Sequence, residues 1–257
     1  MSTKTDLAKE IIDKNFPEYS KKKTFFRGNT KITRILIESD ADAKKIEKPK
    51  GRYVNLEADS IRFPYEKFDE EAFALAEELR ELLPEKGDIL LVGLGNRNLT
   101  ADSLGVMAAE KALCGNFMER KLLRLIPGTE GAFGTEPERI ISAAVREFSP
   151  AAVIAVDSLA AEDFSHICRS IEITDSGIAP GSGISARKNA LSEKTLGVPV
   201  IAMGTPTMIR YPFREKVFVA PNDIDVLINH AAALFGTGIS LAVFPGVGMD
   251  FIKGTVI

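Results

Sequence analysis

Apolar and polar positions along this chain keep two different rhythms. Before residue 60 the apolar positions tend to alternate with polar ones, in Thr24-Phe25-Phe26-Arg27, in the segment from Lys31 to Glu38 and in Tyr53-Val54-Asn55-Leu56-Glu57. That is the period of strands half-buried on a core. Gly28-Asn29 between the first two is a turn signal, so they are expected to form a β-hairpin. From Phe68 onward, stretches with helical spacing over 67–83, 101–113, 136–148 and 222–236 alternate with short apolar runs at 88–93, 121–126, 151–156, 170–174 and 198–203. Such alternation predicts βαβ units, a mostly parallel sheet and helices on both of its faces. A short helix is expected over 5–15 with Thr5 or Asp6 near its N-cap, and the charged segment Lys44 to Lys50, which contains Pro49, is expected to be an exposed loop. The fold expected is a three-layer α/β/α domain of the phosphorylase/hydrolase-like kind spanning 1–257, with residues 18–65 as a small β-rich extension.

Two of the apolar runs share a second feature: each leads to an aspartate. Asp88-Ile89-Leu90-Leu91-Val92-Gly93-Leu94-Gly95-Asn96 is followed by Thr100-Ala101-Asp102-Ser103-Leu104-Gly105, and Ala151-Ala152-Val153-Ile154-Ala155-Val156 is followed directly by Asp157. The carboxyl ends of parallel strands share one edge of the sheet, where ligands of open α/β folds bind. Two carboxylates there can split the work of activating water and protonating a leaving group. Asp102 alone also suits the start of a helix, where it complements the dipole. Asp157 ends a run that reads as buried on both faces, where a charge must be satisfied or functional. Asp175, after Ser170-Ile171-Glu172-Ile173-Thr174, is expected as a third aspartate on the same rim.

Glycine-rich segments add possible backbone donors. Gly93 and Gly95 frame a tight turn with Asn96; a dinucleotide fingerprint is disfavoured because its third glycine falls on Asn98. Gly177-Ile178-Ala179-Pro180-Gly181-Ser182-Gly183 could offer N–H groups to an extended peptide, with Arg187 and Lys188 beside it for a neutral or acidic substrate surface. Thr205-Pro206-Thr207 and the segment from Pro127 to Glu136 are expected to close the same crevice.

Composition narrows the classes. A hydrophobic content of 45% and charged content of 27% are those of an ordinary globular chain, and a net charge of -3 gives no global attraction to nucleic acid or an anionic membrane. No signal peptide and no apolar run near ~18 residues is read, so a membrane span is not expected and a cytoplasmic location is. Cys114 and Cys168 have no metal-ligand spacing and are expected to be reduced. His166 and His230 are the only histidines; no Gly-x-Ser-x-Gly elbow or His-Glu-x-x-His is present, and His166 is expected to be solvated.

Several ordered blocks resemble the germination protease family of spore-forming bacteria. They are Thr5-Asp6-Leu7-Ala8, Gly93-Leu94-Gly95-Asn96 with Thr100-Ala101-Asp102-Ser103-Leu104-Gly105, Ala155-Val156-Asp157-Ser158-Leu159-Ala160-Ala161, Ile173-Thr174-Asp175-Ser176-Gly177-Ile178, Pro180-Gly181-Ser182-Gly183, and Thr195-Leu196-Gly197-Val198-Pro199-Val200-Ile201-Ala202. The resemblance implies an endopeptidase that degrades small acid-soluble spore proteins during germination, with no cofactor. It also implies an atypical aspartic mechanism whose two proposed catalytic residues fall on Asp102 and Asp157. Gly93, Gly95, Asn96, Asp175, Gly181, Ser182, Gly183 and Thr205 are the expected supporting or substrate-binding residues.

Family members are zymogens and homo-oligomers, often tetramers, so a tetramer or dimer in the spore core is expected. Four residues precede Thr5, where relatives carry a longer propeptide, so either almost no propeptide or different processing is expected here. Ala179 stands where the family usually has histidine, the segment Met208 to Lys216 is short, and Arg210 falls where relatives are acidic. Two other readings stay open. Hydrogenase-maturation endopeptidases look similar in Gly-x-Gly-Asn and a later aspartate, and in them such residues bind metal; Asp102, Asp157 and Asp175 would then be ligands. A peptide-binding sporulation protein without turnover is the other.

Overall fold

A computed structural model describes residues 5–63, 67–117, 119–129, 134–179, 190–211 and 217–256. One mixed sheet of ten strands organises them. Its strands are β1 (Lys22–Arg27), β2 (Thr30–Ile37), β3 (Gly51–Glu57), β4 (Ile89–Gly93), β5 (Gly115–Phe117), β6 (Arg120–Leu125), β7 (Ala152–Ala161), β8 (Ser170–Thr174), β9 (Val200–Arg210) and β10 (Phe218–Val219). The order across the sheet is β1-β2-β3-β8-β9-β7-β4-β6-β5, and β10 pairs with β9. Only β6, β4, β7 and β9 pair in parallel; every other pairing is antiparallel. The expected parallel sheet is therefore the central part of a mixed one. The hairpin at Gly28-Asn29 forms as expected and, through β3 and β8, continues the same sheet.

The helices are α1 (Ala8–Asn15), α2 (Asp40–Ile46), α3 (Phe68–Arg80), α4 (Leu104–Glu110), α5 (Pro137–Phe148), α6 (Glu193–Leu196), α7 (Ile224–Val243) and α8 (Met249–Val256). On one face of the sheet, Leu75 and Leu79 of α3, Leu104 and Ala108 of α4, and Leu234, Phe235 and Ile239 of α7 pack on Ile89, Ile154, Ile173 and Met203. On the other face Ile141 and Val145 of α5 cover Val92, Val153 and Ala155. Beside them Ile11 and Ile12 of α1 and Ile46 of α2 cover Ile35, Ile37 and Tyr53. Burying these apolar positions stabilises the fold by about 25 cal/mol per Å² of apolar surface removed from water, which holds the layers together.

Several expectations are corrected. Part of the Lys44–Lys50 loop is α2, started by Ser39, whose Oγ accepts from Asp42 N at 3.0 Å. The helix expected from 101 is split into a single 3-10 turn, Thr100–Asp102, and α4. Helix α1 begins at Ala8 rather than near residue 5; its N-cap is Leu7, whose N–H donates to Thr5 Oγ1 at 3.1 Å, so Thr5 and Asp6 lie next to the cap as expected. Helix α7 is longer than expected: its 20 residues include an 18-residue stretch of mean hydropathy 1.7, long and apolar enough by length and composition to cross a membrane. The reading that no apolar run approaches such a length is overturned, although 83% of that stretch is buried between α3, α4 and the sheet as a core helix. His166 is half-buried rather than freely solvated; its Nδ1 meets Ser170 Oγ at 2.7 Å and burial lowers its pKa. Cys114 and Cys168 are free thiols, and burial pushes that of Cys168 up to about 12.

Candidate active site

The parallel strands converge on one edge, and there β4 stops before β7 does. Gly93 is the last residue of β4 and pairs with Val156; Leu94 N then donates to Val156 O at 2.9 Å. Strand β7 runs on beside β9 to Ala161. Asp157 is thus not at the end of its strand but is the first residue beyond the reach of β4. Its side chain is buried, 5% exposed, and its Oδ1 accepts from Ser158 N at 2.9 Å.

Asp102 reaches the same junction from the loop after β4. Gly95 adopts φ +98°, and a Cβ there would run into Asp102 O, so only glycine lets this loop fold back. Asn96 N donates to Asp102 O at 2.9 Å and closes the loop. Thr207 Oγ1 on β9 donates to Ala101 O at 2.5 Å and pins the turn to the sheet. The two aspartates therefore flank the Leu94–Gly95 step, one through its chain neighbour Val156 and one through its own carbonyl. Burial raises the Asp102 carboxyl to about 6, opposed only in part by a hydrogen bond from the Asn96 backbone.

The other sequence-selected residues divide. Gly93 and Gly95 shape the loop. The Asn96 N–H, expected as a possible backbone donor to substrate, donates to Asp102 O. Thr205 is fully buried inside β9, beside Ser158 in register, and neither hydroxyl has a hydrogen-bond partner among the described residues. Thr205-Pro206-Thr207 does not follow the last strand; it lies within β9, where the register shifts. Pro206 has no N–H to give the ladder, which suits it to such an irregularity. Asp175 is not on the aspartate rim. Strand β8 runs antiparallel to β9, so its carboxyl end points to the opposite edge, where Asp175 accepts from Arg52 Nε at 2.6 Å and Arg52 N at 2.7 Å. Gly181, Ser182, Gly183, Arg187 and Lys188 lie outside the described residues, as does part of the segment from Pro127 to Glu136. Among the described residues no three His, Cys, Asp or Glu side chains gather as a metal site, and the set Asp102, Asp157 and Asp175 is not assembled.

Sequence reasoning passed over Glu172 and Gly204. They share one row of the sheet with Asp157: Asp157 pairs with Gly204, and Gly204 with Glu172. Glu172 is fully buried, accepts from Ala8 N at the start of α1 at 2.7 Å, and is pushed up to about 7 by burial. A glutamate between two isoleucines in a fully buried strand was the available signal. A Cβ on Gly204 would meet Asp157 O and the Leu159 side chain, so glycine is required by the close approach of β7.

The model of the germination protease family, peptidase family A25, matches residues 13–211. The chain belongs to the germination protease family. Similar relatives include the germination protease of Bacillus subtilis, 36% identical over 220 residues, which covers 79% of this chain and 58% of that protein. That of Oceanobacillus iheyensis is 32% identical over 255 residues, covering 88% and 68%. That of Clostridium tetani is 29% identical and covers 98% of this chain and 99% of that protein. Among solved structures, a NiFe hydrogenase maturation protease from Thermococcus kodakarensis is similar over 63% of this chain and 98% of its own, with a TM-score of 0.39 and 19% identity.

Proposed function

We propose that this germination protease family member is an endopeptidase that begins the degradation of small acid-soluble, DNA-protecting spore proteins, acting in the cytoplasm of the spore core as a homo-oligomer. The observation that carries the reading is the placement of Asp102 and Asp157 on either side of the Leu94–Gly95 step at the edge of the parallel strands. Asp157, as the base, takes a proton from water, and the water oxygen bonds to the scissile carbonyl carbon. Asp102, whose pKa is raised to about 6, stays protonated in mildly acidic solution and donates a hydrogen bond to the carbonyl oxygen. Its proton passes to the leaving amine as the C–N bond breaks, and the proton on Asp157 restores the pair. Because Asn96 N is engaged, the acid itself supplies the developing oxyanion with a donor.

The test is incubation with a small acid-soluble spore protein, read by intact-mass spectrometry, with Asp102→Asn, Asp157→Asn and a chelator as separate arms. Discrete fragments that both variants lose and the chelator spares are expected. Loss on chelation would reassign the carboxylates to a metal, and an inert wild type would leave a peptide-binding protein.

A further inference from the structure

Two buried hydroxyls stand in register beside the aspartates. Ser158 follows Asp157 on β7, and Thr205 is its partner on β9. Neither Ser158 Oγ nor Thr205 Oγ1 has a hydrogen-bond partner among the described residues. Side chains two apart on a strand share a face, so the pair continues the row of Val156 and Met203, which pack in the core under α4 and α7. The Thr100–Asp102 turn sits over that face. It packs on β7, β9 and α7, and Thr207, two residues beyond Thr205, donates from Oγ1 to Ala101 O at 2.5 Å. The hydroxyls thus lie beneath the turn that carries Asp102 and next along the chain to Asp157.

Chemistry and spacing name their ligand. Each hydroxyl can both donate and accept. The two do not reach each other, and neighbouring strands run ~4.8 Å apart. Two O–H···O bonds of ~2.8 Å each span such a gap through a single small molecule. Buried polar groups of native proteins are matched by protein or by ordered water, and a water suits a site with about two to four polar partners.

We infer that Ser158 and Thr205 bind one internal water beneath the Thr100–Asp102 turn and act through it as positioning residues, fixing Asp102 against Asp157. The inference rests on the proposed endopeptidase reading and adds two residues to it. The Thr207 bond ties the turn to β9; the water ties it also to β7, the strand of Asp157. Burial is the first cause of the raised Asp102 pKa and the Asn96 backbone opposes it, so a drier seat under the turn raises it further. The other titratable side chains on the surrounding elements stand apart from this seat in their contacts or their place. Glu110 on α4 pairs with Arg97, and His230 Nδ1 on α7 meets Ile61 O at 3.0 Å. Asp225 lies in the first turn of α7, and Arg210 ends β9.

The test compares Thr205→Val, Thr205→Ser, Ser158→Ala and the double variant Ser158→Ala with Thr205→Val, cleaving a small acid-soluble spore protein across pH, and adds a crystal structure of the wild type. Thr205→Val keeps the volume and loses the hydroxyl; Thr205→Ser keeps the hydroxyl. Thr205→Val and Ser158→Ala should each lower kcat on the order of 10-fold, with KM within about 2-fold, as a misplaced acid does. The falling limb of kcat/KM should move to higher pH in both, a change that lost stability alone does not produce. The double variant should be no slower than the worse single one, because one water serves both hydroxyls. Thr205→Ser should keep the wild-type limb. The crystal structure should show one water within hydrogen-bond distance of both oxygens, and this decides the water site if the variants fail to fold. A Thr205→Val protein with wild-type kcat and limb overturns the positioning role, and a crystal structure without that water overturns the site. A wild type that cleaves nothing overturns the endopeptidase reading and the positioning role with it, while the water site is still read from the crystal.

Discussion

In the antiparallel half of the sheet Glu78 is held between two guanidinium groups, Arg27 Nε at 2.5 Å and Arg34 Nε at 2.7 Å, with Glu81 closing the network on both arginines. Glu71 there accepts from the backbone of Asp59 at 2.8 Å and of Ser60 at 3.0 Å, and Asp175 is clasped by Arg52. In the parallel half Asp102 is half-buried with little to oppose the cost, and its pKa climbs to about 6. One half spends its carboxylates on joining hairpin, helix and strand. The other leaves one in a state that can exchange a proton near neutral pH. Burial also raises Glu71, which is held by uncharged donors alone, so a raised carboxyl marks a functional acid only together with its place at the edge of the parallel strands.

Breaking the comparison on the parallel side should cost activity and little stability. Asp157→Asn is expected to lower kcat/KM by about 10²–10⁴-fold, the range for removing a group that moves a proton in the transition state. Thermal melts of the variant should stay close to wild type. A variant with near-normal turnover would remove Asp157 from the chemistry.

Breaking it on the antiparallel side should do the reverse. Glu78→Ala removes the buried carboxylate between Arg27 and Arg34, which are partly exposed and keep Glu81, and is expected to cost about 1.5–3 kcal/mol in urea unfolding. Its pH–rate profile should keep the wild-type shape. A shift in that profile would show that the two halves are coupled.

Glu172 lies in the antiparallel half yet behaves like Asp102, and it sharpens the comparison by a smaller effect. Its pKa is raised from 4.5 to about 7, so its contribution to stability is fully present below 4.5 and lost as pH rises through about 7. Glu172→Gln keeps an oxygen for Ala8 N and carries no charge. It should leave stability unchanged at pH 4 and raise it at pH 8 by no more than about 3 kcal/mol. Equal melting shifts at both pH values would show that Glu172 does not titrate in this range.

Strand and helix periods made the alternating core legible, and the paired runs before Asp102 and Asp157 picked out the aspartates. Strand direction was not legible: nothing in Ser170-Ile171-Glu172-Ile173-Thr174 says that β8 runs against β9, and that direction alone carries Asp175 to the opposite edge. Helix α2 was hidden because Ile46 is its one buried residue, so it shows no apolar stripe. The continuation of β7 past Asp157 was hidden because pairing with β9, a distant segment, extends it. Glu172 was visible as a charge in a buried strand, but its link to the site runs through Gly204, a contact that exists only once the sheet is assembled.

The central claim is that Asp102 enters the reaction protonated, and the pH dependence of kcat/KM tests it most directly, since that ratio reports groups of the free enzyme. Wild type should lose activity as pH rises through about 6, the value to which burial lifts Asp102, and the residual activity of Asp102→Asn should show no such limb. A wild-type rate that is flat or rises between pH 5 and 8, or an Asp102→Asn variant that keeps the same limb, would contradict the account.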